Sequence, residues 1–358
     1  MPILCYKKEL YDGMDYQEEK KYVGNQEQLF CVQKVKLEDG KAEGVTMLEI
    51  RNRSGMQFAV NTSRGMDIPY LSFCGENIGY ISPCGIVAPQ YFDDKGVGFL
   101  KSFTAGFLTT CGLKVAGAAC KYKEKEYGLH GNISHIPAEN ITYEIVESKK
   151  SVYARIAGTV KDASIFEDRL RLDRKIVCCY KEKKFIIHDT VKNEGYKKTH
   201  HMILYHYNIG YPVLSPESDI YIPSSEIIPR NEHAKQGISN YSQVELPDPE
   251  YEEMCFYHKL IPDKENCASI CVFNRKLDIG IVLKIHLDTL DHFVQWKMMG
   301  AGDYVMGFEP GNTTIDGIED AIQNGSMKYL EPGEEVEYKM EVKMIKGKEE
   351  FNKLKGDR

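Results

Sequence analysis

The sequence lacks the marks of several protein classes. No apolar run approaches the ~20 residues that a membrane-spanning helix needs, and residues 1–20 are too polar for a signal peptide. The 11 cysteines are an odd number without a C-x-x-C pair, so they cannot all pair within one chain. Lysine and arginine are scattered and the formal charge is −7, which disfavours nucleic acid as a partner. We therefore expect a cytoplasmic protein with no nucleic acid or membrane partner, in which cysteines are small core residues.

The residues that are present favour one all-β domain. Hydrophobic residues make up 42% and charged residues 28% of the 358 positions, as in a globular protein that needs no disulfides. Short segments rich in branched and aromatic residues are separated by Gly, Asn, Asp and Pro, as at residues 46–50, 58–61, 152–158, 184–191 and 279–285. Helical patterns are few. We predict one large antiparallel β-sandwich over residues 1–358.

Two segments depart from this strand pattern. Residues 1–30 could form an N-terminal extension. Residues 215–253 contain five prolines and little periodicity, which predicts a long loop excursion from the sheets. Such a loop either borders a binding site or is surface decoration, and the sequence does not decide between the two.

Two segments contain histidines in settings suited to proton transfer. His130 lies between near glycines in residues 127–132, where the backbone can bend and present the imidazole. His206 lies in the aromatic segment 202–212 and shares a strand face with Asn208. A buried histidine near a cleft can give or take a proton around neutral pH. The alternatives are a turn histidine and a core histidine with structural hydrogen bonds.

A carboxylate and the only tryptophan occur close together later in the chain. Glu309 precedes Pro310, which should break the strand pairing, and desolvation there would raise the pKa of the carboxyl and make it a better base. Trp296 lies between Gln295 and Lys297. A flat aromatic ring beside an amide and a cation can form the floor under a sugar ring. An exposed strand-end glutamate and a core tryptophan are the alternatives.

Together these segments resemble the aldose 1-epimerase superfamily of galactose mutarotase-like proteins. The resemblance depends on the order Leu-His-Gly, then His-x-Asn in an aromatic strand, then Glu-Pro after a Gln/Trp strand. It is closer to a branch of aldose 1-epimerase-like proteins whose functions are mostly unassigned. The segments that carry this closer similarity are 64–68, 82–85, 108–113, 128–131, 205–212 and 307–310. They are specific for the family but not for a substrate.

The resemblance implies a β-supersandwich fold and a metal-free acid–base mechanism. His206 matches the general acid that protonates the sugar ring oxygen, and Glu309 matches the base that takes the proton of the anomeric hydroxyl. His130 matches the histidine that holds the sugar near its ring oxygen. No cofactor is implied. The consecutive His200 and His201 point to opposite sides of a strand, which disfavours a metal site.

The sugar-binding residues depart from the family pattern. The best-known mutarotases have a sugar-binding Arg before Leu-His-Gly, whereas residues 103–111 contain no Arg or Lys. Residues 132–134 also lack the Arg that many relatives have, and the catalytic strand reads Tyr-His-Tyr-Asn rather than Asn-His-x-Tyr. We therefore expect a rebuilt sugar-binding set for a different or modified sugar. Its members would be Arg64, Asp67, Asn208, Gln295, Trp296 and Lys297.

The sequence favours a carbohydrate isomerase that interconverts sugar anomers by ring opening and closure. Two other classes stay open. One is a non-catalytic carbohydrate-binding protein, and the other is a lyase or epimerase that uses the same His and Glu. The expected partner is a small sugar or sugar derivative. Exposed edge strands would also allow a homodimer.

Overall fold

The computed structural model describes residues 13–148 and 151–356. Two large antiparallel sheets, one of 12 strands and one of 8, contain most of the strands in these residues. Apolar side chains from both sheets form one core cluster between them. This is the large antiparallel β-sandwich that the sequence predicts.

The strands are numbered in chain order. The first twelve are β1 Cys31–Lys36, β2 Thr46–Arg51, β3 Met56–Asn61, β4 Asp67–Phe73, β5 Glu76–Asn77, β6 Tyr80–Ile81, β7 Ala105–Gly106, β8 Leu108–Leu113, β9 Cys120–Tyr122, β10 Lys125–Tyr127, β11 Glu139–Glu147 and β12 Val152–Ala163. The others are β13 Arg169–Cys179, β14 Lys184–Asn193, β15 Thr199–Gly210, β16 Ser218–Tyr221, β17 Ser224–Pro229, β18 Met254–Leu260, β19 Cys267–Asn274, β20 Ile279–His286, β21 His292–Met299, β22 Tyr304–Gly311, β23 Lys328–Leu330 and β24 Glu335–Lys346.

The 12-stranded sheet has the order β1-β2-β3-β4-β8-β15-β22-β21-β18-β17, with β5 beside β4 and β23 beside β15. The 8-stranded sheet has the order β11-β12-β13-β14-β24-β20-β19-β16. β6 pairs with β7 and β9 pairs with β10. Strands that are distant in the sequence, such as β8, β15 and β22, are therefore neighbours at the centre of the larger sheet.

The helices are short. The α-helices are α1 Tyr16–Glu19, α2 Glu232–Gln236, α3 Ile318–Gln323 and α4 Lys348–Gly356. The 3-10 helices are Lys20–Tyr22, Gln26–Gln28, Gly40–Ala42, Pro89–Tyr91, Gly98–Lys101, Ile133–His135 and Ile238–Asn240. Within residues 13–148 and 151–356, none of the helices has the length and apolar composition to cross a membrane.

Side-chain alternation along the strands explains how the sheets pack. In β14, Phe185, Ile187 and Val191 are buried, whereas Ile186 and His188 on the opposite face are partly exposed. Burial of a large apolar side chain contributes about 1.5–3 kcal/mol. The sandwich interior is therefore defined by one face of each sheet, and the outer faces are left for polar groups.

A buried ionic network joins the two sheets behind the centre of the larger one. Arg174 of β13 donates to Asp189 of β14, with 2.7 Å between Nη2 and Oδ2, and to Thr110 Oγ1 of β8 at 2.9 Å. Tyr205 of β15 donates its hydroxyl to Asp189 Oδ2 at 2.8 Å. The side chains of Arg174 and Asp189 are 0% exposed. These bonds hold β8 and β15 in place from the core side.

Residues 215–253 are more regular than the predicted loop excursion, because they contain β16, β17 and helix α2. β16 and β17 are the edge strands of the two sheets. Val244 is buried, and Tyr241 and Tyr251 pack against the main core cluster. The middle of this segment therefore covers the core.

The described part of the predicted N-terminal extension packs on the sandwich. β1 begins at Cys31, directly after residues 1–30, of which residues 1–12 lie outside the described residues. The rings of Tyr16 and Phe30 lie with their centroids 4.8 Å and 5.9 Å from that of Tyr180 at the end of β13. These aromatic contacts attach residues 13–30 to the 8-stranded sheet.

Candidate active site

One face of the 12-stranded sheet carries the predicted acid and base side by side. His206 lies on β15 and Glu309 on β22, and the register that pairs Tyr207 with Phe308 places His206 opposite Glu309. Directly opposed side chains of an antiparallel pair share a face. His206 Nε2 is 3.2 Å from Glu309 Oε1, and the two residues are only 4% and 2% exposed. Strand pairing thus builds a buried His–Glu contact from distant parts of the chain.

Pro310 does not end β22, contrary to the expectation from the sequence. The strand continues to Gly311, and Pro310 pairs with Phe293 of β21. On the β15 side, no residue of β22 pairs between Phe308 and Gly311. Because proline has no N–H to donate, the ladder opens on this one side. Glu309 is therefore a buried strand residue at a local opening rather than an exposed strand-end carboxylate.

Burial shifts the pKa values of the pair in opposite directions. Desolvation raises the pKa of the Glu309 carboxyl to about 8, the charge of Glu253 adds to this shift, and Arg230 opposes it. Desolvation lowers the pKa of His206 to about 4. Between these values the pair holds one proton, on the carboxyl. Its transfer across the 3.2 Å contact would give an imidazolium and a carboxylate.

His130 completes a group of three titratable side chains. Its ring centroid is 5.5 Å from that of His206, and its backbone has a φ of 59°, next to the Gly131 that the sequence pattern singled out. The Gly117 N–H donates to His130 Nδ1 at 3.2 Å. Burial, followed by His206 and Arg230, lowers the pKa of His130 to about 3, so the ring is neutral at pH 7. With Nδ1 accepting, the proton lies on Nε2, which becomes a hydrogen-bond donor.

Two aromatic rings form further walls around His206. The centroid of the Trp296 ring is 5.5 Å from that of His206, and the centroid of the Phe103 ring is 5.4 Å from it. Trp296 pairs with Gly307 of β22, so its side chain lies on the same face as Glu309. The indole N–H donates to Glu253 Oε2 at 2.7 Å. This hydrogen bond fixes the plane of the ring beside the acid–base pair.

Arg230 is a charged residue of this face that the sequence reasoning missed. Its backbone N–H donates to Cys255 O at 3.0 Å, and Cys255 pairs with Trp296, so the three side chains lie in one row across the sheet. The guanidinium Nε is 2.8 Å from Asp316 Oδ1. Arg230 directly follows β17 and Glu253 directly precedes β18, and no local sequence pattern marks either one.

Gln295 and Lys297 do not reach the site, because alternation along β21 points both away from Trp296. The Gln295 side chain donates to Tyr241 O at 2.7 Å. Lys297 Nζ donates to Asn240 O at 2.7 Å and lies 2.8 Å from Glu245 Oε1. Both side chains therefore have protein partners, whereas the sequence predicted that they bind substrate. They attach the 215–253 segment to the core face of the sheet.

Arg64 is also occupied by the protein rather than free for a ligand. It is 3% exposed, and its guanidinium donates to the carbonyl oxygens of Ser134, Val87 and Ser102 at 2.8–3.1 Å. It contacts the ring of His135 as well. These bonds use the N–H groups of the fork to hold loops together, whereas the sequence predicted that Arg64 binds the sugar.

Asp67 and Asn208 have structural partners too. Asp67 Oδ1 accepts from Thr110 N at 2.9 Å and faces Arg174, and burial raises the pKa of its carboxyl to about 6. Asn208 is fully buried and donates to the carbonyl oxygens of Ala105 and His206 at 3.1 Å and 3.0 Å. Neither is positioned as a sugar ligand. Asn208 instead supports the backbone of β15, the strand that carries His206.

Comparison with known proteins places this arrangement in a family. Residues 42–344 match the DUF4432 family, described as a domain of unknown function. The chain belongs to the DUF4432 family. No curated protein matches the sequence.

Solved structures with the same architecture include aldose 1-epimerase and galactose mutarotase-like proteins. A proposed aldose 1-epimerase from Klebsiella pneumoniae superposes with a TM-score of 0.87 at 24% identity, over 91% of this chain and 86% of that one. A galactose mutarotase-like protein from Clostridium acetobutylicum has a TM-score of 0.65 at 12% identity, over 89% and 99% of the two chains. Galactose 1-epimerase from Lactobacillus acidophilus has a TM-score of 0.58 at 14% identity, over 89% and 99%. The galactose mutarotase-like fold implied by the sequence motifs is confirmed.

Proposed function

We propose that this protein is a sugar isomerase that interconverts the anomers of a reducing sugar. The observation that carries the proposal is the buried contact between His206 and Glu309, 3.2 Å apart with only one proton between them over a wide pH range. An acid and a base must act together on one substrate in this reaction, and both must reverse their roles. The shared proton provides this reversibility.

The reaction begins once the shared proton has moved from the Glu309 carboxyl to His206 across their 3.2 Å contact. Glu309 takes the proton from the anomeric O1 hydroxyl while His206 gives its proton to the ring oxygen, and the bond between C1 and the ring oxygen breaks. The aldehyde then rotates about the C1–C2 bond. On closure, His206 takes the proton from the hydroxyl that becomes the ring oxygen and Glu309 returns one to O1. Atoms and charge balance. When the new anomer dissociates, His206 is again protonated and Glu309 is again ionised.

The neighbouring residues have roles in binding. The Nε2 proton of His130 would donate to an oxygen of the sugar near the pair. Trp296, fixed by Glu253, offers an apolar face to the C–H side of the ring. The desolvated site strengthens these polar contacts and the acid–base interaction. Each positioned acid or base contributes about 10²–10⁴-fold to the rate.

The test is saturation transfer between anomers by NMR on a panel of free reducing sugars. Wild-type protein should accelerate exchange for at least one sugar. Glu309→Gln should lose about 10²–10⁴-fold of that rate. The matched control is Glu337→Gln on β24 of the other sheet, where the side chain is 70% exposed, and it should keep the wild-type rate.

The same samples separate the alternatives. Binding shifts that survive in Glu309→Gln, without accelerated exchange in wild type for any sugar, would refute the isomerase and favour a binding protein. A product of changed mass or new absorbance would indicate a lyase, because anomer exchange leaves the mass unchanged.

A further inference from the structure

A cleft of about 470 Å3 opens beside the acid–base pair. Its lining includes Trp296 and Phe103, whose rings also contact His206. The cleft therefore begins on the far side of the two rings that enclose the catalytic histidine. Neither His206 nor Glu309 lines it. The cleft volume lies within the ~300–1,000 Å3 range of small-molecule sites. This volume does not include any space occupied by a sugar ring at His206 and Glu309.

The walls of the cleft suit a saccharide. Trp296, Phe103 and Tyr80 contribute three aromatic rings, and Leu100 on the rim is 53% exposed. Exposed apolar side chains beside aromatic rings provide surfaces for the C–H faces of a sugar.

The charged groups of the cleft are acidic. Glu253 and Asp303 line it, and none of the described residues that line it is a Lys or an Arg. Glu253 accepts the Trp296 indole N–H at 2.7 Å. Asp303 Oδ1 accepts the Tyr80 hydroxyl at 3.0 Å. These carboxylates can accept further hydrogen bonds from sugar hydroxyls, but they would repel an anionic ligand.

We propose that this cleft is a distal subsite that binds an uncharged glycosyl extension of the substrate, at the end remote from C1. The substrate class is then a reducing disaccharide or longer neutral saccharide rather than a free monosaccharide or a uronic or phosphorylated sugar. This inference rests on the proposed function, because the position of C1 is set by the acid–base pair. A ring held at the pair by its C1 end directs its far end past Trp296 and Phe103 into the cleft.

The cleft contains its own reporter. Trp296 is the only tryptophan of the chain and lines the cleft, so intrinsic fluorescence measures occupancy without any turnover. We would titrate galactose, glucose, lactose, maltose, cellobiose and digalacturonic acid, and measure anomer exchange on the same sugars. At least one neutral disaccharide should bind about tenfold more tightly than its monosaccharides, and digalacturonic acid about tenfold more weakly than that disaccharide.

Isosteric variants test the role of charge. Glu253→Gln retains an oxygen that accepts the indole N–H, and Asp303→Asn retains one that accepts the Tyr80 hydroxyl. The double variant should bind digalacturonic acid within about threefold of the neutral disaccharide. Glu337→Gln, on the other sheet, should leave the discrimination unchanged.

The outcomes separate this inference from the proposed function. Tighter binding of a neutral disaccharide without accelerated exchange would retain the subsite and refute the isomerase. Accelerated exchange with equal affinity for monosaccharides and disaccharides would refute the subsite and retain the isomerase. Digalacturonic acid binding as tightly as every neutral disaccharide would overturn the subsite as proposed, and no response to any sugar would overturn both.

Discussion

Replacing Glu309 with glutamine should stabilise the protein near neutral pH while it slows anomer exchange about 10²–10⁴-fold. The carboxyl has a folded-state pKa of about 8 against an ordinary 4.5 because burial penalises its charge. Below pH 4.5 both folded and unfolded states are protonated and the residue has no effect on pH-dependent stability. As the pH rises, the unfolded state ionises while the folded state stays protonated, so stability is lost between pH 4.5 and 8.

The magnitude follows from these pKa values. At pH 7 the pH lies about 2.5 units above the unfolded-state pKa of 4.5, and at ~1.4 kcal/mol per unit the buried carboxyl lowers the free energy of unfolding by about 3–4 kcal/mol. Glutamine has no such cost. With ~2.1 cal/mol/K of unfolding entropy per residue, this corresponds to a rise in Tm of about 4 °C. At pH 5 the gain should fall below about 1 kcal/mol.

Urea denaturation of the wild type and Glu309→Gln at pH 5 and pH 7 measures this difference. His206, whose lowered pKa costs stability only as the pH falls below 6.5, is present in both proteins and cancels. A stability gain that is the same at both pH values, or a loss at pH 7, would refute the reasoning. Either result would mean that burial does not raise the pKa of the Glu309 carboxyl and that this group is ionised in the folded protein at pH 7.

Two further predictions concern the His206–Glu309 pair and the buried ion pair of Arg174 with Asp189. The kcat/KM of anomer exchange should be bell-shaped, falling about tenfold per pH unit below about 4 and above about 8, because the pair must keep one proton. A rate independent of pH up to 10, after subtraction of spontaneous exchange, would exclude Glu309 as one of the titrating groups. Arg174→Met should lower the free energy of unfolding by about 3–5 kcal/mol, since it leaves Asp189 buried without its cation. Urea midpoints check this, and a variant as stable as wild type would contradict the stabilising role of the network.

The sequence identified the side chains of the site that carry a local signature. His130 beside glycine, His206 in an aromatic strand and Glu309 before proline are unusual residues for such settings, and the structure places all three together with Trp296. The sequence did not show that residues next to them in the chain point to the other face of the sheet. Gln295 and Lys297 flank Trp296, but alternation sends a strand residue and its neighbours to opposite faces.

Arg64 shows that a sequence motif does not reveal the hydrogen-bond partners of an arginine. A single arginine in a motif has the same appearance whether its guanidinium faces a ligand or three backbone carbonyls. Arg230 and Glu253 show the converse, because they have no motif and reach the site only where β17, β18 and β21 pair. Loop lengths and local composition do not specify the contacts of Arg230 and Glu253. These contacts depend on the pairing of β17 with β18 and of β18 with β21.

Local sequence patterns predict the strand-rich class, the alternation of buried and open faces, and the residue types available for acid–base chemistry. These are local properties, set by periods of two residues and by backbone preferences. The tertiary structure decided that His206 faces Glu309, that Asp67 belongs to the core, and that an acidic aromatic cleft adjoins the pair. The physical reason is that register between strands separated by many residues is set by burial over the whole sandwich, which no single segment encodes.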